Sequence, residues 1–203
     1  MNMACNNFYI IQPYRRKTDD PADGIYKYES SINVDVWRGN LELSLAKVVS
    51  AEEYNWVGSI TGKSYSEGDL VAYDETRVIK HFADGTKLVR DDAICCLFNE
   101  EENAPGANKN EVVVKIERSA GLEMQNVVNG FYGEVVDIQL GEYWEEKSKV
   151  RNVKIGDRVI LVNPYKTGDV CDGDVYRKVS TTNGFYVVAE VDAIACKVDI
   201  EKE

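Results

Sequence analysis

The spacing of the apolar residues constrains the fold of this chain more than any other feature, because it repeats every two positions in a series of short segments. Such alternation is typical of half-buried strands, whereas a helix repeats its apolar face about every 3.6 residues. Gly, Asn and Asp separate the segments, as expected for turns. An all-β fold is predicted, with strands in INVDVW (32–37), LELSLAKVV (41–49), DLVAYD (69–74), EVVVKI (111–116), GEVVDI (133–138), DRVILV (157–162) and FYVVAEV (185–191).

The two halves of the chain echo each other in the same order. SEGDLVAYD (66–74) and KIGDRVILVN (154–163) both place a Gly-Asp pair before a strand. The further matching pairs are YII (9–11) with VVV (112–114), LAKVVSAEEYNW (45–56) with YGEVVDIQLGEYW (132–144), and RDDAICCLF (90–98) with EVDAIACKV (190–198). Small differences in spacing between pairs fit insertions in loops, so each half is predicted to be one copy of the same domain.

A polar segment divides these halves. Residues 99–110, NEEENAPGANKN, contain no apolar residue larger than Ala or Pro and predict a linker between domains 1–98 and 111–203. The first domain carries an inserted hairpin, expected in 27–45 because apolar residues alternate on both sides of Arg38-Gly39-Asn40. Short strands without a helix to cover a sheet favour small, closed or nearly closed β-barrels, here two in tandem.

Composition excludes several classes of partner. The net charge of −11, from 24 Lys and Arg against 35 Asp and Glu, disfavours nucleic acid. No segment approaches the ~20 apolar residues of a membrane span, and the amino terminus lacks a signal-peptide pattern. The cysteines are odd in number and form no C-x-x-C pair, which indicates reduced thiols and a cytoplasmic location. They are Cys5, Cys95, Cys96, Cys171 and Cys196.

No catalytic residue, metal site or cofactor is predicted, and the chain is not expected to be an enzyme. GSITGKS (58–64) has three residues between its glycines where a phosphate-binding loop has four, and no helix pattern follows it. TGDVCDGD (167–174) misses the spacing of a calcium loop and lacks its closing Glu. His81 is the single histidine, which leaves no His pair for a metal and no evident general base.

Four segments of the second half resemble co-chaperonins of the GroES type, the ring-shaped lids of chaperonin folding chambers. They are VVVKIERSAGLEM (112–124), GEVVDIQLG (133–141), VKIGDRVILVN (153–163) and YVVAEVDAIACKV (186–198). The first half carries the same order in YIIQPYRRKTDDPADGIY (9–26), AKVVSA (46–51), EGDLVAYD (67–74) and DDAICCLF (91–98). The resemblance implies two tandem GroES-like small β-barrels and a non-catalytic role in protein folding.

The resemblance also implies the binding residues. A lid of this family presents a short apolar tripeptide, after a glycine on a mobile loop, to a groove on the chaperonin ring. The matching positions here are Gly24, Ile25 and Tyr26 in the first copy, and Gly121, Leu122 and Met124 in the second. Glu123 departs from the pattern by placing a charge between the two apolar residues. In the alternative interpretation, Ile25, Leu122 and Met124 pack under their own loops.

Two clusters of acidic and aromatic residues are candidate subunit contacts, because Tyr and Trp favour interfaces. They contribute Tyr54 and Trp56 in the first half and Tyr143 and Trp144 in the second. Alternatively, these side chains cap the ends of the barrels. The resemblance implies a homo-oligomeric ring whose subunits exchange terminal strands, here the strand containing Ala193, Ile194 and Ala195.

Two functions are consistent with these features. The first is a co-chaperonin-like lid that binds a chaperonin ring through its apolar loops and assists protein folding in the cytoplasm. The alternative is a structural assembly protein of a phage virion, a capsid or tail component that reuses the barrel and contacts other virion proteins. An ordered inserted hairpin and a shortened second loop would suit permanent packing.

Overall fold

The computed structural model describes residues 3–14, 16–18, 27–29, 31–36, 39–52, 63–116, 130–162 and 176–198. Its strands in chain order are β1 (Phe8–Pro13), β2 (Arg16–Thr18), β3 (Lys27–Glu29), β4 (Ser31–Val36), β5 (Gly39–Ser50), β6 (Leu70–Asp74), β7 (Lys80–His81), β8 (Lys87–Arg90), β9 (Ile94–Asn99), β10 (Ala104–Gly106), β11 (Glu111–Ile116), β12 (Gly130–Gln139), β13 (Arg158–Val162), β14 (Tyr176–Thr181), β15 (Gly184–Glu190) and β16 (Ile194–Val198).

Helical structure is short in the described part of the chain. The helix α1 spans Glu142–Lys147, and 3₁₀ turns occupy Glu75–Arg77, Asp91–Ala93, Lys149–Asn152 and Val191–Ala193. The all-β class predicted from the alternating pattern is therefore confirmed. No helix within the described ranges is long and apolar enough to span a membrane.

The chain divides into two compact units. The first comprises Met1–Val34 and Asn40–Asn103, and the second comprises Asp35–Gly39 and Ala104–Glu203. In the first unit the strands pair antiparallel in the order β7-β8-β1-β5-β6-β9. In the second unit the antiparallel order is β14-β15-β11-β12-β13-β16. The two orders match strand for strand along the chain.

The match extends to the irregularities of the sheets. A register shift between Ile10 and Ile11 interrupts the pairing of β1 with β5, and a shift between Val113 and Val114 interrupts that of β11 with β12. The pairs β6–β9 and β13–β16 also share a register shift. It falls immediately before Tyr73, which pairs with Ile94, and immediately before Leu161, which pairs with Ile194. Bulges are specific features of a strand pair, so their recurrence supports a residue-by-residue correspondence between the units.

The two hydrophobic cores occupy corresponding positions. The first core contains Tyr9, Ile11, Ala46, Val48, Tyr65, Val71, Tyr73, Val89, Ala93 and Ile94. The corresponding residues of the second unit are Val112, Val114, Gly133, Val135, Val153, Val159, Leu161, Ala189, Ala193 and Ile194. Period-two alternation directs the strand residues among them to one face of each sheet. Tyr65, Ala93, Val153 and Ala193 reach the same cores from outside the strands, and together these residues exclude water.

In the first unit, the Gly-Asp pair holds the turn before β6 against the long strand β5. The Gly68 N–H donates to the Val48 carbonyl (2.8 Å), and the Val48 N–H donates to the Asp69 carbonyl (2.9 Å). An Asp69 carboxylate oxygen accepts from the Ser66 N–H (2.8 Å). Gly68 has φ of +96°, which strains any residue with a Cβ. We call this arrangement the Gly-Asp clamp.

The second unit contains the same clamp on β12. The Gly156 N–H donates to the Val135 carbonyl (2.8 Å), and the Val135 N–H donates to the Asp157 carbonyl (2.8 Å). The Asp157 carboxylate accepts from the Lys154 N–H (2.8 Å), and Gly156 has φ of +90°. The repeated Gly-Asp pair in the sequence therefore encodes one turn that locks two strands in each unit.

The last strand of each unit is also entered in the same way. A 3₁₀ turn precedes β9 and β16, and its first N–H reaches the residue before the first strand of the unit. Asp91 N–H donates to the Asn7 carbonyl (3.0 Å), and Val191 N–H donates to the Asn110 carbonyl (2.9 Å). The repeated Asp-Ala-Ile of the sequence covers the end of each turn and the first residue of the strand that follows.

The segment 99–110, predicted as a linker from its composition, makes specific contacts. It includes β10, and its residues 103–108 are buried. Asn110 has φ of +65°; its N–H donates to the Gln139 carbonyl (2.8 Å), and its side-chain oxygen accepts from the Gly141 N–H (2.9 Å). Asn tolerates positive φ and bonds backbone groups, so a polar composition here forms a hydrogen-bonded corner.

The correspondence makes a stability prediction about Gly133, whose counterpart is the buried Ala46. A Cβ on Gly133 would lie 2.3 Å from the Lys115 carbonyl oxygen and 2.8 Å from a Val114 methyl group. We expect Gly133→Ala to lower the free energy of unfolding by about 1–3 kcal/mol through overpacking. The converse change Ala46→Gly should cost about 1 kcal/mol through backbone entropy and a lost methyl contact.

Urea unfolding followed by circular dichroism, with amide exchange of β11 to localise the effect, checks both variants. A Gly133→Ala variant as stable as the wild type would show that β11 and β12 approach each other less closely than described.

Candidate functional site

The residues predicted to bind a chaperonin lie outside the described residues, and so do Tyr54 and Trp56. The predicted chaperonin-binding residues are Gly24, Ile25, Tyr26, Gly121, Leu122 and Met124. Their places in the chain are nevertheless defined by the strands around them. The first set follows β1 and falls between β2 and β3, and the second set falls between β11 and β12. Since β11 corresponds to β1, both sets follow the first strand of the matching six-strand order in their unit.

The structure places Tyr143 and Trp144 together in α1 but gives them different surroundings. Trp144 is partly buried and packs against the second core, whereas Tyr143 is 63% exposed. Their rings meet edge to face, with centroids 5.3 Å apart and an interplanar angle of 88°. Trp144 therefore anchors the helix on its own unit, and Tyr143 presents the aromatic surface that remains open to a partner.

Sequence reasoning missed α1 because it spans only six residues, too few to display a helical period. Local signals were present. Glu142 and Glu145 lie in the first turn, where acidic side chains are favourable, and Gly141 precedes the helix in an extended conformation. The acid-aromatic composition interpreted as an interface is thus also the composition of a short helix.

The last strands of the two units differ in exposure. In β9, Ile94, Cys96 and Phe98 are buried. In the corresponding strand β16, residues 195–197 are exposed, including Cys196. β16 pairs with β13 on one side and is the last strand in the order of its sheet. A strand in this position offers backbone N–H and C=O groups to another chain.

The segments that precede the first strand of each unit also differ in exposure, but here the second unit has the buried segment. β10 lies just before β11, and its three residues are buried. Met3, which corresponds to Gly106 of β10, is 80% exposed. Met3 and Cys196 are therefore exposed, whereas their counterparts Gly106 and Cys96 are buried. Sequence comparison of the halves matched β16 to β9, but only the structure shows how differently the two strands are exposed.

The first unit holds a cluster of polar side chains, Tyr73, Glu75 and Lys87, of which two stand at positions that are apolar in the second unit. Lys87 Nζ lies 2.6 and 2.7 Å from the two carboxylate oxygens of Glu75 and 2.9 Å from the Tyr73 hydroxyl. The Tyr73 hydroxyl donates to Glu75 at 2.6 Å. The strand registers show that Tyr73 corresponds to Leu161 of the second unit and that Lys87 corresponds to Val187.

These contacts shift the ionisation of all three groups. Burial raises the pKa of the Tyr73 hydroxyl, and its hydrogen bond to Glu75 raises it further. Burial alone would raise the pKa of Glu75, but hydrogen bonds from Lys87 and Tyr73 outweigh this and lower it. Burial would lower the pKa of Lys87, but its bonds to Glu75 and Tyr73 raise it overall. The cluster is thus an ion pair at neutral pH.

The described ranges contain no group of three or more His, Cys, Asp or Glu side chains that could hold a metal ion. His81 lies in β7 and is exposed. Residues 58–62 of the GSITGKS segment and residues 167–174 lie outside the described part of the chain. A comparison with protein-family models finds no match, and a search of curated proteins finds no significant relative.

Proposed function

We propose that the protein is a co-chaperonin-like lid, built from two GroES-like barrels, that binds a chaperonin ring through one apolar tripeptide from each unit. The observation that carries this proposal is the position of the two tripeptides. Both lie in the connection that follows the first strand of a duplicated frame. A two-unit lid needs its binding segments on equivalent connections, because equivalent sites on a ring must be reached by equivalent loops.

Binding by short apolar segments suits a cyclic partner. Each tripeptide would bury two large side chains in a groove, and ordering the loop on docking would offset part of that gain. Two such contacts on one chain raise the overall affinity through their effective concentration. Glu123 would weaken the second contact, because a charge entering an apolar groove loses its hydration.

The proposed lid is a homo-oligomer, and the exposure of β16 supports a specific contact. The segment around Met3 of one copy would pair with β16 of the next, so that each chain offers one donor segment and one acceptor edge. Such a heterologous contact closes into a ring when its rotation permits. Tyr143, exposed on α1, is available for a second contact.

The alternative is a structural protein of a phage virion. It is favoured by β4, a six-residue strand that is hydrogen-bonded to β5. A regular strand pair in the place where the lid family has a mobile loop is suited to permanent packing against virion proteins. A cytoplasmic lid and a virion component then differ in whether binding is reversible and nucleotide-dependent.

The tripeptides provide the direct test of the lid. Replacing Leu122 and Met124 together with Ser should weaken binding to a chaperonin ring at least about tenfold, because each buried side chain contributes roughly 1.5–3 kcal/mol and ~1.4 kcal/mol is a factor of ten. Glu123→Val should strengthen binding. Ile79→Ser, at an exposed apolar residue of the first unit, is the matched control and should leave affinity unchanged.

Isothermal calorimetry against a chaperonin ring, with and without nucleotide, measures these affinities. Wild-type protein that gives no nucleotide-dependent heat with the rings of candidate hosts would rule out the lid and favour the virion role. Equal loss in the Ile79→Ser control would show that the Ser variants act through general destabilisation.

Association through β16 makes a separate prediction. The wild type should form oligomers in light scattering at micromolar concentration, and alkylation of Cys196 should slow as the concentration rises. Cys196→Lys should shift the protein toward monomer, because a lysine on a strand edge disfavours pairing with another chain. Ile79→Lys, a new charge on a different exposed surface, should not.

A wild type that stays monomeric across this range, or Cys196 alkylation that is independent of concentration, contradicts the ring. This outcome is distinct from the calorimetric one, since a monomer could still bind a chaperonin through its tripeptides.

A further inference from the structure

The connection between β6 and β7 in the first unit is short and fixed at several points. Asp74 Oδ1 accepts hydrogen bonds from the Thr76 N–H (2.8 Å) and hydroxyl (2.6 Å), which starts the 3₁₀ turn Glu75–Arg77. Arg77 donates to the Asp92 carbonyl at 3.0 Å. The Ile79 N–H then donates to the Leu88 carbonyl (2.9 Å) and leads into β7. The turn and β7 thus lie along β8.

β7 itself is weakly held. It has two residues, both exposed, and it pairs with β8 through Lys80 opposite Leu88 and His81 opposite Lys87. Two residues of pairing contribute little by themselves, so the turns on both sides hold β7 in place: the preceding turn, and the following turn with its bond from the Phe82 N–H to the Thr86 carbonyl (2.9 Å). The strongest of these contacts are the charge-assisted bonds between Lys87 and Glu75.

The second unit shows that the frame does not require these charges. Leu161 and Val187 stand where Tyr73 and Lys87 stand in the first unit, and both belong to the second core. By the same register, Asn163 in the sequence corresponds to Glu75. Leu161 and Val187 pack in the second unit without any charge. The ion pair of the first unit therefore differs in that its stability depends on the charges of Glu75 and Lys87.

We propose that residues 75–81 of the first unit form a latch that Lys87 closes on Glu75 and that neutralisation of the Glu75 carboxylate opens. Without its negative charge Glu75 loses the charge assistance that makes its bonds to Lys87 strong. The ammonium group, on a side chain that is 15% exposed, then has only neutral partners within the cluster and gains by moving toward water. Lys87 is also the residue of β8 that pairs with His81, so movement of Lys87 weakens this pairing and releases β7.

The groups facing the latch define its response to pH. Glu75 faces Lys87, Tyr73 and His81, and the charges of Lys87 and His81 both favour the carboxylate. Because the folded pKa of Glu75 is lowered, its stabilising contribution is present above the ordinary value of 4.5 and is lost as pH falls through the lowered value. The raised pKa of Lys87 keeps the ammonium charged throughout that range.

Amide-exchange protection of Ile79 tests the latch, measured relative to unstructured peptide at pH 7 and at a lower pH where NMR of the Glu75 side chain shows that its carboxyl group is protonated. The wild type should lose about two- to fivefold protection at the lower pH, a value set by the partial exposure of Glu75. Glu75→Gln should show a similar loss already at pH 7. The triple variant Tyr73→Leu, Glu75→Asn, Lys87→Val, which imports the second unit's residues, should keep its protection at both pH values.

Asp84→Asn is the matched control. Asp84 accepts from the Thr86 N–H and hydroxyl in the β7–β8 turn, and its pKa is also lowered, but it does not contact Lys87. This variant should retain the acid response of Ile79. Equal protection of the wild type at both pH values overturns the latch, as does unchanged protection in Glu75→Gln. An acid loss that persists in the triple variant assigns the response to other carboxylates and also overturns it.

Discussion

Each unit depends on the Gly-Asp clamp, in which a turn exchanges two backbone hydrogen bonds with one residue of a long strand, Val48 or Val135. The clamp sets the register of β5 with β6 and of β12 with β13. Register carries the whole core, because a slip of one residue would turn every inward side chain to the other face. Gly68 and Gly156 suit the turn because their φ values of +96° and +90° would strain a residue with a Cβ.

The frame is shared, but the two units fill it differently. Tyr9 and Tyr65 pack edge to face in the first core with centroids 5.4 Å apart, where the second unit has Val112 and Val153. Partly buried Phe131, Ile138, Leu140 and Trp144 pack against the second core. Cores tolerate such exchanges when the total volume is maintained, so the two units can keep the same strand order with different core residues.

Sequence reasoning located the strands because alternation records burial on one face, and it aligned the halves because turn chemistry is local. It did not foresee the hydrogen bonds of Asn110 or the helix around Trp144, since polar composition does not distinguish a solvated segment from a hydrogen-bonded corner. The difference in exposure between Cys96 and Cys196 depends on what covers each strand. That information lies in tertiary structure, and so does the ion pair that joins Lys87 to Glu75.

The proposals about a lid, a ring and a latch all assume that the two units share one hydrogen-bonded frame. Scalar couplings across hydrogen bonds, measured by NMR, test this assumption most directly. We expect couplings between the Gly68 amide and the Val48 carbonyl, and between the Gly156 amide and the Val135 carbonyl. Detection of both would establish the clamp in each unit. A coupling present in one unit and absent from the other, under conditions where both are folded, would contradict the duplicated frame.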